Sequence, residues 1–162
     1  MAGMVYAVVP VMSVVLTGLF AGLFFAFSIA VMPGLARTDD RVMIEAMQKI
    51  NVAIINPFFA VVFIGAPAMA LAQTVLHWAA GGTEAAWWAG AALALMVVTL
   101  VVTFAVNVPR NNALDRTGAP ARLTDPAAVR ADFEPVWVRW NHLRTLASTA
   151  ASVCAVLAVI AT

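Results

Sequence analysis

Charge is what this sequence has least of. Asp, Glu, Lys and Arg make up 10% of its 162 residues, against 64% hydrophobic residues and a mean hydropathy of +0.95. Soluble domains average about 25% charged and about 45–50% apolar residues. A chain this oily cannot clothe a core against water, so it reads as a single-domain integral membrane protein. The net charge is +1, and the basic residues are dispersed rather than interleaved with aromatics, which argues against a nucleic-acid partner. Cysteine is nearly absent. Cys154 stands alone, so there is no internal disulfide and no thiolate metal cluster, and its apolar setting in SVCAVLAVI reads as a small packed hydrophobe.

Histidine is scarce too. His77 ends the second apolar run and His142 begins the fourth, near opposite membrane faces about 30 Å apart. They cannot share a metal or a haem within one subunit, and no metal and no cofactor are expected. No pair of acidic residues lies within a span to carry protons. No glycine-rich loop follows a strand to hold phosphate, and no serine or cysteine has a base beside it. The lack of an internal repeat or intramembrane charge argues against alternating access. No basic segment precedes the first apolar run, which is expected to stay as a span rather than act as a signal peptide.

What is present is a set of four long apolar runs, at about residues 5–32, 56–78, 87–106 and 143–161. They predict an all-α, up-down-up-down four-helix membrane bundle. The first is about 42 Å long at 1.5 Å per residue, longer than a hydrocarbon core of about 30 Å. Gly18, Gly22 and Ala26 repeat along it every four residues, a seam for close helix approach and a candidate face for a second copy of the chain. Pro33 and Gly34 are expected to stop it. Thr38 or Asp39 then caps a short interfacial helix with Met43, Met47 and Ile50 on its apolar side and a Glu45–Lys49 pair on its wet side. Pro57 suits the first turn of the second span, and Pro67 predicts an irregularity within it. Gly81-Gly82 marks a tight connection bracketed by Trp78, Trp87 and Trp88, an aromatic belt. Thr99, Thr103, Asn107 and Asn111 form a polar ladder at spacings of four, at whose end Pro109 should kink or stop the helix. Residues 115–132 read as the one substantial loop, with a helix starting near Asp132 and Pro135 in its first turn.

The nine basic residues fall in or beside the two connections at about 33–50 and 107–140. The positive-inside rule therefore puts those connections in the cytoplasm and both termini outside a bacterial inner membrane. The same topology gathers polar side chains at one depth. The stretch WVRWNHLRT, residues 137–145, sets Trp137, Asn141, Arg144 and Ser148 on one helix face at spacings of four, three and four, with Trp140 beside it and His142 turned away. Gln48, Asn51, Asn107 and Asn111 lie at the same end. Such groups at a hydrocarbon edge must face protein, water or ligand, and in a bundle they can converge on a pocket. Interhelical hydrogen bonding with no ligand is the alternative for any single amide.

FFAFSIAVMPGL at residues 24–35, AMQKIN ending at Asn51, NVPRNNAL at 107–114 and WVRWNHLRT together resemble the anthrone oxygenase-like family of small four-helix membrane proteins. The resemblance implies oxidation of an anthrone, or a similar polycyclic phenol, to a quinone with molecular oxygen and no redox cofactor. It implies Arg144, Asn107 and Asn141 as oxyanion donors, with His142 as candidate base. Trp137 and Trp140 would stack on the rings, Asn51 and Asn111 would orient substrate or hold those groups in place, and Gln48 would join them in binding substrate. The implied partner is a small apolar aromatic or a lipid. A non-catalytic membrane protein that binds a lipid or quinone in the same cleft, or scaffolds another protein, is the other class these residues allow.

Overall fold

A computed structural model describes residues 2–162. Its helices are α1 (Ala2–Ala26), the π-helical segment π1 (Phe27–Val31), α2 (Met32–Leu35), α3 (Asp40–Ala53), α4 (Pro57–Ala79), α5 (Thr83–Val102), π2 (Thr103–Asn107), α6 (Val108–Arg116) and α7 (Pro126–Ile160), with a 3-10 turn at Pro120–Arg122. α1, π1 and α2 run on as one rod, as do α5, π2 and α6; with α4 and α7 they make four helices long and apolar enough to cross a membrane. α1 packs on α4 and α7, and α5 packs on the same two, which closes a four-membered ring. Large apolar side chains such as Phe58, Ile64 and Leu146 stand exposed around it, as lipid contact requires. The protein is a multi-pass helical membrane bundle.

One half of the bundle is filled by small side chains. Ala66, Ala70, Ala89, Ala92, Ala151, Ala155 and Ala158 are buried, and the Gln73 amide donates to the Ala155 carbonyl at 3.2 Å. Small residues let backbones approach, which is how helices gain contact where no water drives them together. Gly18 serves the same purpose: a Cβ there would lie 3.7 Å from Ser152 Oγ of α7, while Gly22 meets nothing within 4 Å.

Prolines that sequence reasoning reads as stops are bridged. Pro33 and Pro109 each sit two residues after a π-helical segment, and the Met32 and Val108 amides bond the Phe27 and Thr103 carbonyls. In an α-helix the proline ring collides with the carbonyl four residues back and donates no hydrogen bond. A wide turn just before it moves that carbonyl aside, so each rod continues, to Leu35 and to Arg116. Pro67 lies inside α4 without a break, and Pro57 opens that helix with Asn56 Oδ1 capping the Phe59 amide at 3.0 Å. Asp39 caps α3. The loop expected over 115–132 is shorter: Asp125 caps the Ala128 amide at 2.9 Å, so α7 starts at Pro126 and Pro135 falls ten residues in.

The two polar connections pack on each other. Arg41 donates to the Pro120 and Leu123 carbonyls. Arg130 donates to the carbonyls of Ala36 (3.0 Å) and Thr38 (2.9 Å) and to the carboxylates of Asp40 (2.9 Å) and Glu134 (2.6 Å). One guanidinium thus fastens the turn between α2 and α3 to α7. Arg130→Ala is expected to lower stability by about 1–3 kcal/mol, the range for losing charge-assisted bonds around partly buried acceptors. Thermal unfolding in detergent reads this, and an unchanged midpoint would make those contacts incidental.

Candidate functional site

At the polar end the helices part around a cavity of about 250 Å³. Phe24 and Phe27 of α1 and π1, Met47 and Asn51 of α3, and Phe59 and Phe63 of α4 form one side. Thr103, Phe104, Asn111 and Asp115 of π2 and α6, with Trp137 and Arg144 of α7, form the other. It lies where two buried apolar clusters meet, one containing Phe20, Phe24 and Met96, the other Met43, Met47 and Trp137. Both π-helical segments contribute to its wall. Ile55 and Phe104, which also line it, stand largely exposed on the outer surface of the bundle.

Arg144 is the inner charge of this cavity. It is 5% exposed. Its Nη2 donates to Asn141 Oδ1 at 2.8 Å, and Nη1 reaches Thr103 Oγ1 at a long 3.5 Å. Thr103 can accept because its own hydroxyl donates to the Thr99 carbonyl at 2.8 Å. The guanidinium carbon stands 4.4 Å from the Phe24 ring centroid and 5.3 Å from that of Trp137, a cation between two π faces. Arg144 Nε is buried with no partner, and among the described residues Arg144 makes no ion pair. Arginine stays charged and is built for planar oxygen acceptors. A buried cation without an anion carries a desolvation cost that an anionic ligand would offset.

Asn141 holds that cation in place. Its amide donates to the Phe24 carbonyl (3.1 Å) and Ser28 Oγ (2.9 Å), and its oxygen accepts from Arg144, so its donors and acceptor are all engaged. Trp137 donates from Nε1 to Asn111 Oδ1 at 2.8 Å and packs near Phe27 and Phe133, with centroids at 5.5 and 6.2 Å. Asn107 donates to the Trp137 carbonyl at 3.2 Å while its own Oδ1 is buried unpartnered.

The residues singled out in the sequence divide accordingly. Arg144, Trp137, Asn51 and Asn111 line the cavity. Asn141 and Asn107 are buried behind it and support Arg144 and Trp137. Gln48 donates to the Leu114 and Gly118 carbonyls at 2.9 and 3.1 Å, tying α3 to the end of α6. Trp140 is half-buried away from the cavity. His142 is exposed on another side of α7, its Nδ1 3.1 Å from Ser28 Oγ, and does not line the cavity. Phe24, Phe63 and Asp115 are cavity residues that sequence reasoning passed over, and Thr103 was read only as a rung of the polar ladder. Asp115 had a signal: it continues the spacing of four through Asn107 and Asn111. Among the described residues no three His, Cys, Asp or Glu side chains converge as a metal site would need.

Four membrane-crossing helices around a polar-edged aromatic cavity define a multi-pass membrane protein of oxygenase-like character once the family match is added. A family model described as anthrone oxygenase matches residues 50–154. The chain belongs to the anthrone oxygenase family. That span takes in the asparagine ladder and all of WVRWNHLRT; the FFAFSIAVMPGL run lies ahead of it. No curated protein and no solved structure matches the chain.

Proposed function

We propose that the protein oxidises an anthrone, or a similar polycyclic phenol, to the quinone with molecular oxygen. The observation that carries this is Arg144, a buried guanidinium without a carboxylate, facing an apolar cavity and flanked by Phe24 and Trp137. An apolar cavity of about 150 Å³ accepts benzene, so 250 Å³ suits a flat ligand of two to three rings.

The chemistry asks little of a cofactor. Loss of a methylene proton sends the C–H electron pair into the ring system and onto the carbonyl oxygen, giving an extended enolate. That anion passes one electron to oxygen, and the resulting carbon radical and superoxide join in a C–O bond. Protonation gives a hydroperoxide, and loss of the second methylene proton with O–O cleavage leaves a new carbonyl and one water. One oxygen molecule is consumed. Arg144 would hold the enolate oxygen, and because its charge is fixed before reaction it would favour the anion over the neutral ketone. Trp137 would lie against the rings while Asn111 and Asn51 orient their edges. The gathering of basic residues at this end supports a cytoplasmic position for it, with both termini outside a bacterial inner membrane, by the positive-inside rule.

Purified protein given an anthrone is expected to consume one oxygen per quinone formed, followed by an oxygen electrode and quinone absorbance. Tight binding of the anthrone with no oxygen uptake would overturn the reading in favour of a membrane protein that binds lipid or quinone without transforming it.

A further inference from the structure

The cavity has two sides, and they are built differently. On the side of the polar connections, α3 is strapped across it. Gln48 donates to the Leu114 and Gly118 carbonyls, Asn51 Nδ2 donates to Asp115 Oδ1 at 3.4 Å, and Met43 and Met47 are buried beneath. On the side of α4 nothing is tied. Among the described residues, no hydrogen bond or ion pair crosses between residues 54–63 and residues 103–112; the polar groups of both stretches bond elsewhere. α4 packs closely on α1 and α5 but hardly on π2 or α6, which continue the α5 rod.

We infer that ligand enters and leaves the cavity sideways, from among the acyl chains, through this untied gap, with the Phe104 ring as its movable leaf. The inference rests on the reading above for the ligand itself, a flat apolar aromatic. Ile54, Ile55 and Phe59 form one lip of the gap, and Phe104 and Val108 the other. The outer surface around them is equally oily, with Phe58, Val61 and Val101 exposed. Polar lips stripped of water would cost free energy to part in hydrocarbon; these lips carry no such cost.

Phe104 is the outermost of a row of rings. Phe24, against the Arg144 guanidinium, meets Phe20 at 5.0 Å; Phe20 meets Phe63 at 5.5 Å, and Phe63 meets Phe104 edge-on at 5.8 Å. Towards the middle of the bundle the helices close again through Ala66, Ala70 and Met96. One edge contact with Phe63 therefore holds a ring that is otherwise open to lipid. Exposed side chains change rotamer in about picoseconds to nanoseconds, so the ring can swing aside with no helix moving. Thr103, its neighbour in the chain, touches Arg144. The leaf thus hangs one residue from the charge that the ligand seeks.

Exchange of 9,10-anthraquinone, a probe that consumes no oxygen, separates access from oxidation. Protein in lipid vesicles is loaded with the quinone and mixed rapidly with empty vesicles. Recovery of the tryptophan fluorescence that bound quinone quenches gives the exit rate, and a titration gives Kd. Phe104→Ala should speed entry and exit together by about two- to tenfold, the weight of one aromatic edge contact, with Kd within about threefold of the parent. A leaf changes the barrier and not the end states. Ile55→Phe, which narrows the lips, should slow both rates. Both side chains face lipid, so neither change burdens the core. Parental rates in both variants, or a raised Kd with entry untouched, would overturn the inference. So would acceleration by Asp115→Ala, which frees the Asn51 tie, in place of Phe104→Ala, because the ligand would then come by the polar rim. Anthrone oxidation alongside parental exchange in Phe104→Ala would leave the proposed function standing without this portal. Exchange through the lips with no anthrone oxidation would do the reverse, and a protein that binds no quinone would overturn both.

Discussion

Arg144→Met is expected to abolish most turnover while leaving the bundle standing. Removing one preorganised donor from a developing oxyanion lowers kcat by about 10²–10³-fold, and here the donor carries a full charge in a cavity walled by Phe24, Phe63 and Trp137. Stability should move little, for two opposing reasons. Methionine strands Asn141 Oδ1, which now accepts from Arg144, at about 1 kcal/mol. It also removes a buried cation whose Nε finds no partner, which relieves desolvation. The sum should lie within about 1 kcal/mol of the parent. Oxygen uptake and thermal unfolding of the same preparation separate the two quantities. A variant with parental turnover would leave Arg144 a structural residue.

Asn141→Leu should behave in the opposite way, with stability as its first casualty. An average hydrogen bond between membrane helices contributes about 0.6 kcal/mol, but this amide serves Phe24, Ser28 and Arg144 at once while 1% exposed. Its loss leaves a buried carbonyl and a buried guanidinium short of partners, so about 2–3 kcal/mol is expected. The double variant Asn141→Leu/Arg144→Met should be more stable than Asn141→Leu alone, because the cation that needed the amide is gone. Strictly additive unfolding free energies in that cycle would show that the two side chains are not coupled.

Periodicity reached some of this and missed the rest for identifiable reasons. Four apolar runs and the face shared by Trp137, Asn141, Arg144 and Ser148 were legible, since a helix repeats on spacings of three and four whatever surrounds it. All four of those side chains are buried. The continuations through Pro33 and Pro109 were not legible. A proline announces a lost hydrogen bond, but whether the backbone answers with an end or a wide turn depends on what packs beside it. At π2, that means the Thr103–Arg144 contact and Asn107 under Trp137. The early start of α7 turned on a cap, Asp125, inside a stretch whose glycine and prolines looked like loop. Asp115 reads as solvated surface beside Arg116 and Gly118, and it is exposed; that it also stands at the rim of the cavity shows only once α3 and α6 are side by side.

Ile55 and Phe104 belong at once to the cavity wall and to the outside of the bundle, with Ile55 80% exposed. A flat, oily ligand dissolves in the acyl chains long before it saturates water, so the reservoir that feeds such a wall is the bilayer. The concentration that governs occupancy is then moles of ligand per mole of lipid. If the proposed activity holds, doubling the membrane in an assay at fixed total ligand dilutes the supply at this wall, and an apparent KM quoted per litre of buffer describes the vesicles as much as the protein.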